Sequence, residues 1–137
     1  MINKELVRPV GSIGQDNLIA HIEPKAHTTG INVKAEAGKL KRGTVLYRTA
    51  DGSYDVYGGD ITIPPEEEGG EPTVLHVEPS IILTEDTDAS TAKAAAVGYR
   101  TGYFNRHALI FADGYTMTDA DVDTMRKYGI LVGDFLD

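Results

Sequence analysis

The side chains best suited to chemistry in this chain are four histidines, His21, His27, His76 and His107, and several close-set carboxylates. A zinc site needs ligands at spacings that a turn or one helix face presents together, such as His-x-x-x-His or a cysteine pair. No two of the histidines stand at that spacing, and there is no cysteine. No metal is therefore expected. Asp119, Asp121 and Asp123 alternate like the start of a calcium loop, but the central glycine and closing glutamate of such a loop are absent. Helix capping accounts better for the first two. Glu85, Asp86 and Asp88 read as a polar turn. Ser12, Ser53, Ser80 and Ser90 lack the glycine-flanked setting of an activated nucleophile, and no glycine-rich loop ends in Gly-Lys-Ser or Gly-Lys-Thr. The carboxylate pairs fall in loops, away from positions a packed scaffold would hold. The expectation is a protein that is not an enzyme and carries no cofactor.

At 137 residues the chain fits one domain, and no apolar run reaches the roughly 18 residues of a membrane-spanning helix. Lys4, Glu5 and Arg8 stand where a secretory signal would have its apolar core, so synthesis in the cytoplasm is expected. The net charge of -8 is unevenly spread. Residues 1–48 hold eight Lys/Arg against four Asp/Glu, residues 49–92 hold eleven acidic and no basic residues, and residues 93–137 hold five basic and six acidic. A chain so acidic repels phosphate backbones, which argues against nucleic acid as a partner.

The elements that would carry these side chains are mostly strands. Residues 1–32 show no sustained period: Leu6, Val7, Val10, Ile13, Leu18, Ile19 and Ile22 are interrupted by Pro9, Gly11, Gly14, Pro24 and Gly30. This reads as an extended N-terminal arm, with residues 17–22 the best candidate for a strand within it. A β-rich domain follows over residues 33–137. Gly38 and Gly43 bracket a polar turn before the strand Thr44, Val45, Leu46, Tyr47, and Asp51-Gly52 then predicts a hairpin leading to Tyr54, Asp55, Val56, Tyr57. Ile61, Thr62 and Ile63 predict a short strand. An acidic loop near residues 64–72 has three prolines, four glutamates and two glycines, too little apolar surface to order itself, and is expected to face solvent.

Strands are again predicted at Val74 to Val77 and at Ile81, Ile82 and Leu83, the latter buried on both faces. Residues 85–91 read as a turn. Residues 96–99 and 102–104 read as strand, with Gly98 and Gly102 marking bulges or close backbone approaches, while residues 105–110 fit strand or a short helical turn. Thr118 caps a helix that ends at Gly129, with Asp119 and Asp121 at its start and Arg126 and Lys127 at its end. Ile130, Leu131 and Val132 form a closing strand.

This order of elements, with Leu40-Lys41-Arg42-Gly43-Thr44-Val45-Leu46-Tyr47, the Asp51-Gly52 hairpin, Ala95-Ala96-Val97-Gly98, Gly102-Tyr103-Phe104-Asn105 with Ala108-Leu109, and Gly129-Ile130-Leu131-Val132 after a capped helix, resembles the lambda-type head decoration proteins of tailed bacteriophages. The likeness covers roughly residues 33–132, and the insertion around residues 64–72 departs from it. The resemblance implies a mainly β, β-clip-like domain with one short C-terminal helix that forms homotrimers on the outer surface of the virion capsid. It implies a capsid-stabilising role, with the N-terminal arm contacting the major capsid protein. The arm's apolar residues, Leu6, Val7, Val10, Ile13, Leu18, Ile19 and Ile22, are the expected capsid contacts, since such a segment suits addition to a sheet edge. The alternative is a carrier domain of the biotinyl or lipoyl kind, to which Gly38 to Leu46 is similar, or a small trimeric β enzyme. A carrier needs an exposed lysine at a hairpin tip beside methionine or between Asp and Ala; Lys25, Lys34, Lys39, Lys41, Lys93 and Lys127 have no such neighbours.

Overall fold

The computed structural model describes residues 17–133. Twelve strands and one short helix follow in chain order: β1 (Ile19–His21), β2 (Thr28–Val33), β3 (Gly38–Leu40), β4 (Val45–Arg48), β5 (Tyr54–Val56), β6 (Ile61–Ile63), β7 (Thr73–Leu75), β8 (Pro79–Leu83), β9 (Thr87–Ala89), β10 (Ala94–Tyr99), β11 (Gly102–Asn105), α1 (Asp119–Lys127) and β12 (Ile130–Gly133). The fold is mainly β, as the sequence leads one to expect. Five strands close a small barrel in the order β10-β2-β5-β4-β8, and a three-stranded sheet β1-β11-β12 packs outside it.

Alternation along β4 and β8 explains how the two layers are joined. Leu46, Ile81 and Leu83 point into the barrel with Ile31, Val33 and Ala96, while Val45, Tyr47 and Ile82 point outward. The outward set packs against Leu18, Phe104, Met125 and Ile130 from the second sheet and the helix. Strand β8 is thus apolar at Ile81, Ile82 and Leu83 because both of its faces are covered. Closure of so narrow a barrel depends on Gly98, where a Cβ would lie 2.3 Å from Ile81 Cγ2. The expected close approach is therefore found there.

The Asp51-Gly52 turn joins β4 to β5 in antiparallel register, Leu46 opposite Val56 and Arg48 opposite Tyr54. Gly52 takes the positive φ of 90° that the turn requires, and Asp51 Oδ1 accepts from the Ser53 amide at 3.0 Å. Thr118 caps α1 in a reciprocal capping box with Asp121. Residues 106–108, left open between strand and helical turn by the sequence, form a 3-10 turn.

Two expectations change, and a third is met with a consequence for the core. Residues 85–91 are not only a turn, because Thr87–Ala89 pairs with β3 and places Ala89 in the barrel core; a single inward side chain in a polar run carries no periodic signal. The boundary drawn at residue 32 falls inside β2, whose six residues pair with β10 from Thr28 opposite Tyr99 to Val33 opposite Ala94. The candidate strand at residues 17–22 is realised as β1, paired with β11, and Leu18 is fully buried beneath it. Leu18 is thus a core residue of the free chain and is withdrawn as a capsid contact.

Candidate functional surface

The side chains singled out in the arm divide by position. Leu6, Val7, Val10 and Ile13 lie outside the described residues. Ile19 is 38% exposed and Ile22 is 83% exposed, so both remain on the surface after folding. They sit on and just beyond β1, the outer strand of the β1-β11-β12 sheet, where Ile19 stands opposite Phe104 and His21 opposite Tyr103. The His21 and Tyr103 rings meet edge to face at 5.0 Å. Beyond Ile22 the chain turns through a cis Glu23–Pro24 bond, and Thr101 fastens it by donating to the Lys25 carbonyl at 2.8 Å and accepting from the His27 amide at 3.0 Å. A ledge with two outward isoleucines results.

A second surface is the hairpin of β6 and β7, paired from Ile61 opposite Leu75 to Ile63 opposite Thr73. The sequence indicates both strands, but nothing local in it signals their pairing across the acidic loop. Residues 64–72 connect them and are exposed throughout, turned by a bond from the Gly70 amide to the Glu67 carbonyl at 3.0 Å. A two-stranded hairpin of this length is marginal alone. At its base, one step beyond the last strand pair, His76 Nδ1 lies 2.8 Å from Asp60 Oδ1, and His76 Nε2 lies 3.6 Å from Glu78 Oε2. Glu78 in turn accepts from Lys127 Nζ at 3.2 Å and from the Tyr128 hydroxyl at 2.5 Å. A chain of charged contacts therefore runs from the hairpin base to the C-terminal end of α1.

The Asp60 carboxylate beside it, with a smaller contribution from Glu78, raises the His76 pKa above its ordinary 6.5. A histidine whose folded value is raised contributes stability that is complete below its unfolded pKa and is lost as pH rises through the higher folded value. Asp60→Asn is therefore expected to lower the His76 titration midpoint followed by NMR, and to speed amide exchange in β6 and β7 at pH 6. An unshifted midpoint would remove the clip.

The helix itself is positioned by a group that sequence reasoning assigned only to capping. Asp121 is 6% exposed and accepts from the Tyr57 hydroxyl at 2.6 Å, from the Tyr115 hydroxyl and from the Thr118 amide at 3.0 Å. Burial alone pushes its carboxyl upward, but the bonds from Thr118, Tyr115 and Tyr57 outweigh it and hold the pKa below the usual carboxylate range. Burial, and then the bond to Asp121, drives the Tyr57 hydroxyl pKa far up. This network fixes α1 against the barrel and with it the Lys127 and Tyr128 anchors of the hairpin. Nothing in its arrangement offers a nucleophile: the carboxylate is buried and its oxygens are engaged.

Among the described residues no group of three His, Cys, Asp or Glu side chains is arranged to hold a metal ion. Asp119, Asp121 and Asp123 do not converge: Asp119 and Asp123 are exposed, whereas Asp121 faces inward. No helix of the described residues is long and apolar enough to cross a membrane. The family model for the bacteriophage lambda head decoration protein D matches residues 12–130 of the chain. No curated protein matches it.

Proposed function

The chain belongs to the lambda head decoration protein D family, structural proteins of the bacteriophage capsid, and on that premise we propose that it binds the outside of the expanded head as homotrimers and cements the shell against the pressure of packaged DNA. The observation that carries this reading is the reach of the family match, from before β1 to the first residue of β12. The barrel, the helix and all of the second layer but the last three residues of β12 lie within that span.

The partner is the major capsid protein, and the contact is made by the N-terminal segment together with the β1 ledge. Leu6, Val7, Val10 and Ile13 supply the apolar side chains of the segment, and Ile19 and Ile22 continue the same surface onto the folded body. An extended segment that lies along a sheet edge gains main-chain hydrogen bonds for affinity and side-chain pockets for specificity. Cementing then follows from mass action. A protein that binds the expanded lattice and not its precursor stabilises the expanded form by its binding free energy. Three segments on one trimer raise the effective concentration of the second and third contacts once the first has formed.

The test is cosedimentation of the purified protein with expanded and unexpanded shells, with copies counted per shell. Saturable binding to expanded shells alone, in multiples of three, is the expected result. Binding to neither form, or equally to both, refutes cementing.

A further inference from the structure

The chain holds two Asp-Gly pairs, Asp51-Gly52 and Asp113-Gly114, and no Asn-Gly. Such a pair is open to a covalent reaction with itself. The glycine amide nitrogen attacks the aspartate Cγ, and as the new C–N bond forms the carboxyl hydroxyl leaves, departing as water with the amide proton. The succinimide ring then takes up one water at either carbonyl. Opening at the side-chain carbonyl restores aspartate, and opening at the main-chain carbonyl reroutes the backbone through Cβ and Cγ as isoaspartate. No oxidant or reductant is needed. The reaction requires a carboxyl that can be protonated and a glycine amide whose peptide plane can swing toward it, a motion that glycine does not obstruct.

The structure separates the two pairs. Asp51 Oδ1 accepts from the Ser53 amide at 3.0 Å, the Ser53 hydroxyl at 2.6 Å and the Thr49 hydroxyl at 2.5 Å. These bonds, the Ser53 hydroxyl first, hold the carboxyl ionised well below the usual carboxylate range. The Gly52 amide is itself engaged, donating to the Thr49 carbonyl at 3.0 Å. Asp113 and Gly114 are both exposed, and neither the carboxylate nor the Gly114 amide has a hydrogen-bond partner among the described residues. Gly114 sits at φ 82° in a turn closed from the Tyr115 amide to the Ala112 carbonyl at 3.0 Å, and nothing lies within 4 Å of a Cβ built on it. The peptide plane between the two residues is free to flip.

The ends of this turn are held. A Cβ built on Gly58 would stand 2.7 Å from Ala112 Cβ, and one on Gly59 would stand 2.9 Å from the Tyr115 ring, so the chain there packs directly against both. Tyr115 also meets the Tyr57 and Phe111 rings at 5.5 and 5.8 Å and donates its hydroxyl to Asp121. We propose that Asp113-Gly114 is a site of spontaneous isoaspartate formation in the folded protein, and that the added main-chain carbon loosens the Tyr115 anchor of α1. One more backbone atom between two held ends has to be absorbed where the turn joins the body, and Tyr115 is one of those joints. A structural protein of a capsid is not renewed after assembly, so a slow reaction accumulates in it.

The test is to incubate the full chain in warm, mildly acidic buffer, with circular dichroism checking that it stays folded, and then to digest it with trypsin. Peptide 107–126 carries Asp113 and peptide 49–93 carries Asp51. Electron-transfer fragmentation, which distinguishes isoaspartate from aspartate, is expected to find isoaspartate at position 113 and several-fold less at position 51. In guanidinium chloride, where both turns are lost, the two sites should react alike. Asp113→Glu, an exposed change whose cyclisation needs a larger ring, should lose the product at 113. The thermal midpoint of the parent should fall as the isoaspartate fraction grows, while that of Asp113→Glu holds over the same incubation. Equal reaction at both sites of the folded chain, or none at position 113, overturns the site. A modified fraction that melts together with the unmodified protein overturns its link to α1.

Discussion

Asp121→Ala is expected to destabilise the protein by on the order of 4 kcal/mol, read as a lower urea midpoint at unchanged slope. The substitution leaves the buried Tyr57 hydroxyl and the half-buried Tyr115 hydroxyl without their common acceptor, and it removes one half of the capping box at Thr118. Tyr57→Phe and Tyr115→Phe each delete one donor and leave the carboxylate with its other partners, so each should cost only about 1.5 kcal/mol. The asymmetry between losing the acceptor and losing a donor is the signature of the network. A pH signature accompanies it. Because the folded pKa of Asp121 is depressed, its contribution is complete above the unfolded carboxylate value and disappears as pH falls through the lower folded one. Asp121→Asn should therefore flatten the acid side of the stability profile. If the variant unfolded as steeply in acid as the parent, Asp121 would not be the group that couples α1 to protons.

The second large effect concerns the shell. Removing residues 1–16 and replacing Ile22 with aspartate should weaken binding to expanded heads by about 100-fold or more, since a loss in each of three segments multiplies through the trimer. The cut is placed at residue 16 for a structural reason. A deletion reaching residue 30 would remove β1, the buried Leu18 and half of β2, and its loss of binding would report unfolding. Ile22, at 83% exposure, can be changed with little effect on the core, so cosedimentation with the thermal midpoint alongside separates contact from stability. Shell affinity within a few-fold of the parent would send the search for the contact to another face.

Several elements were legible because their signals are local. Asp51-Gly52 between two β-branched and aromatic runs specifies a hairpin, since the positive φ at Gly52 is a property of the turn itself. Thr118 and Asp121 stand three residues apart, the reach of a capping box. The unbroken apolar run at Ile81, Ile82 and Leu83 implied two covered faces, and the barrel and the outer layer cover them. Gly98 between apolar strand residues signals a bulge or close approach, but nothing local in the chain names Ile81 as the residue opposite. The arm was harder to read. Pro24 and Gly30 break its periodicity, yet β1 and β2 form because β11 and β10 supply their hydrogen-bonding partners from about 60 to 85 residues further along the chain.

By itself the sequence determined the mainly β class, the hairpin at Asp51-Gly52, the capped helix, the acidic character of residues 49–92 and the resemblance to phage head decoration proteins. Each rests on neighbours in the chain or on their order, which folding leaves unchanged. Only the tertiary structure decided that Leu18 is core while Ile22 is surface, that Asp121 holds two tyrosines as well as a cap, and that His76 joins Asp60 to Glu78 at the foot of the acidic hairpin. Those roles arise from contacts between residues far apart in the chain, 64 positions for Tyr57 and Asp121. Polar side chains of this kind have no period to announce them, and their partners become known only when the barrel closes and brings them within hydrogen-bond reach.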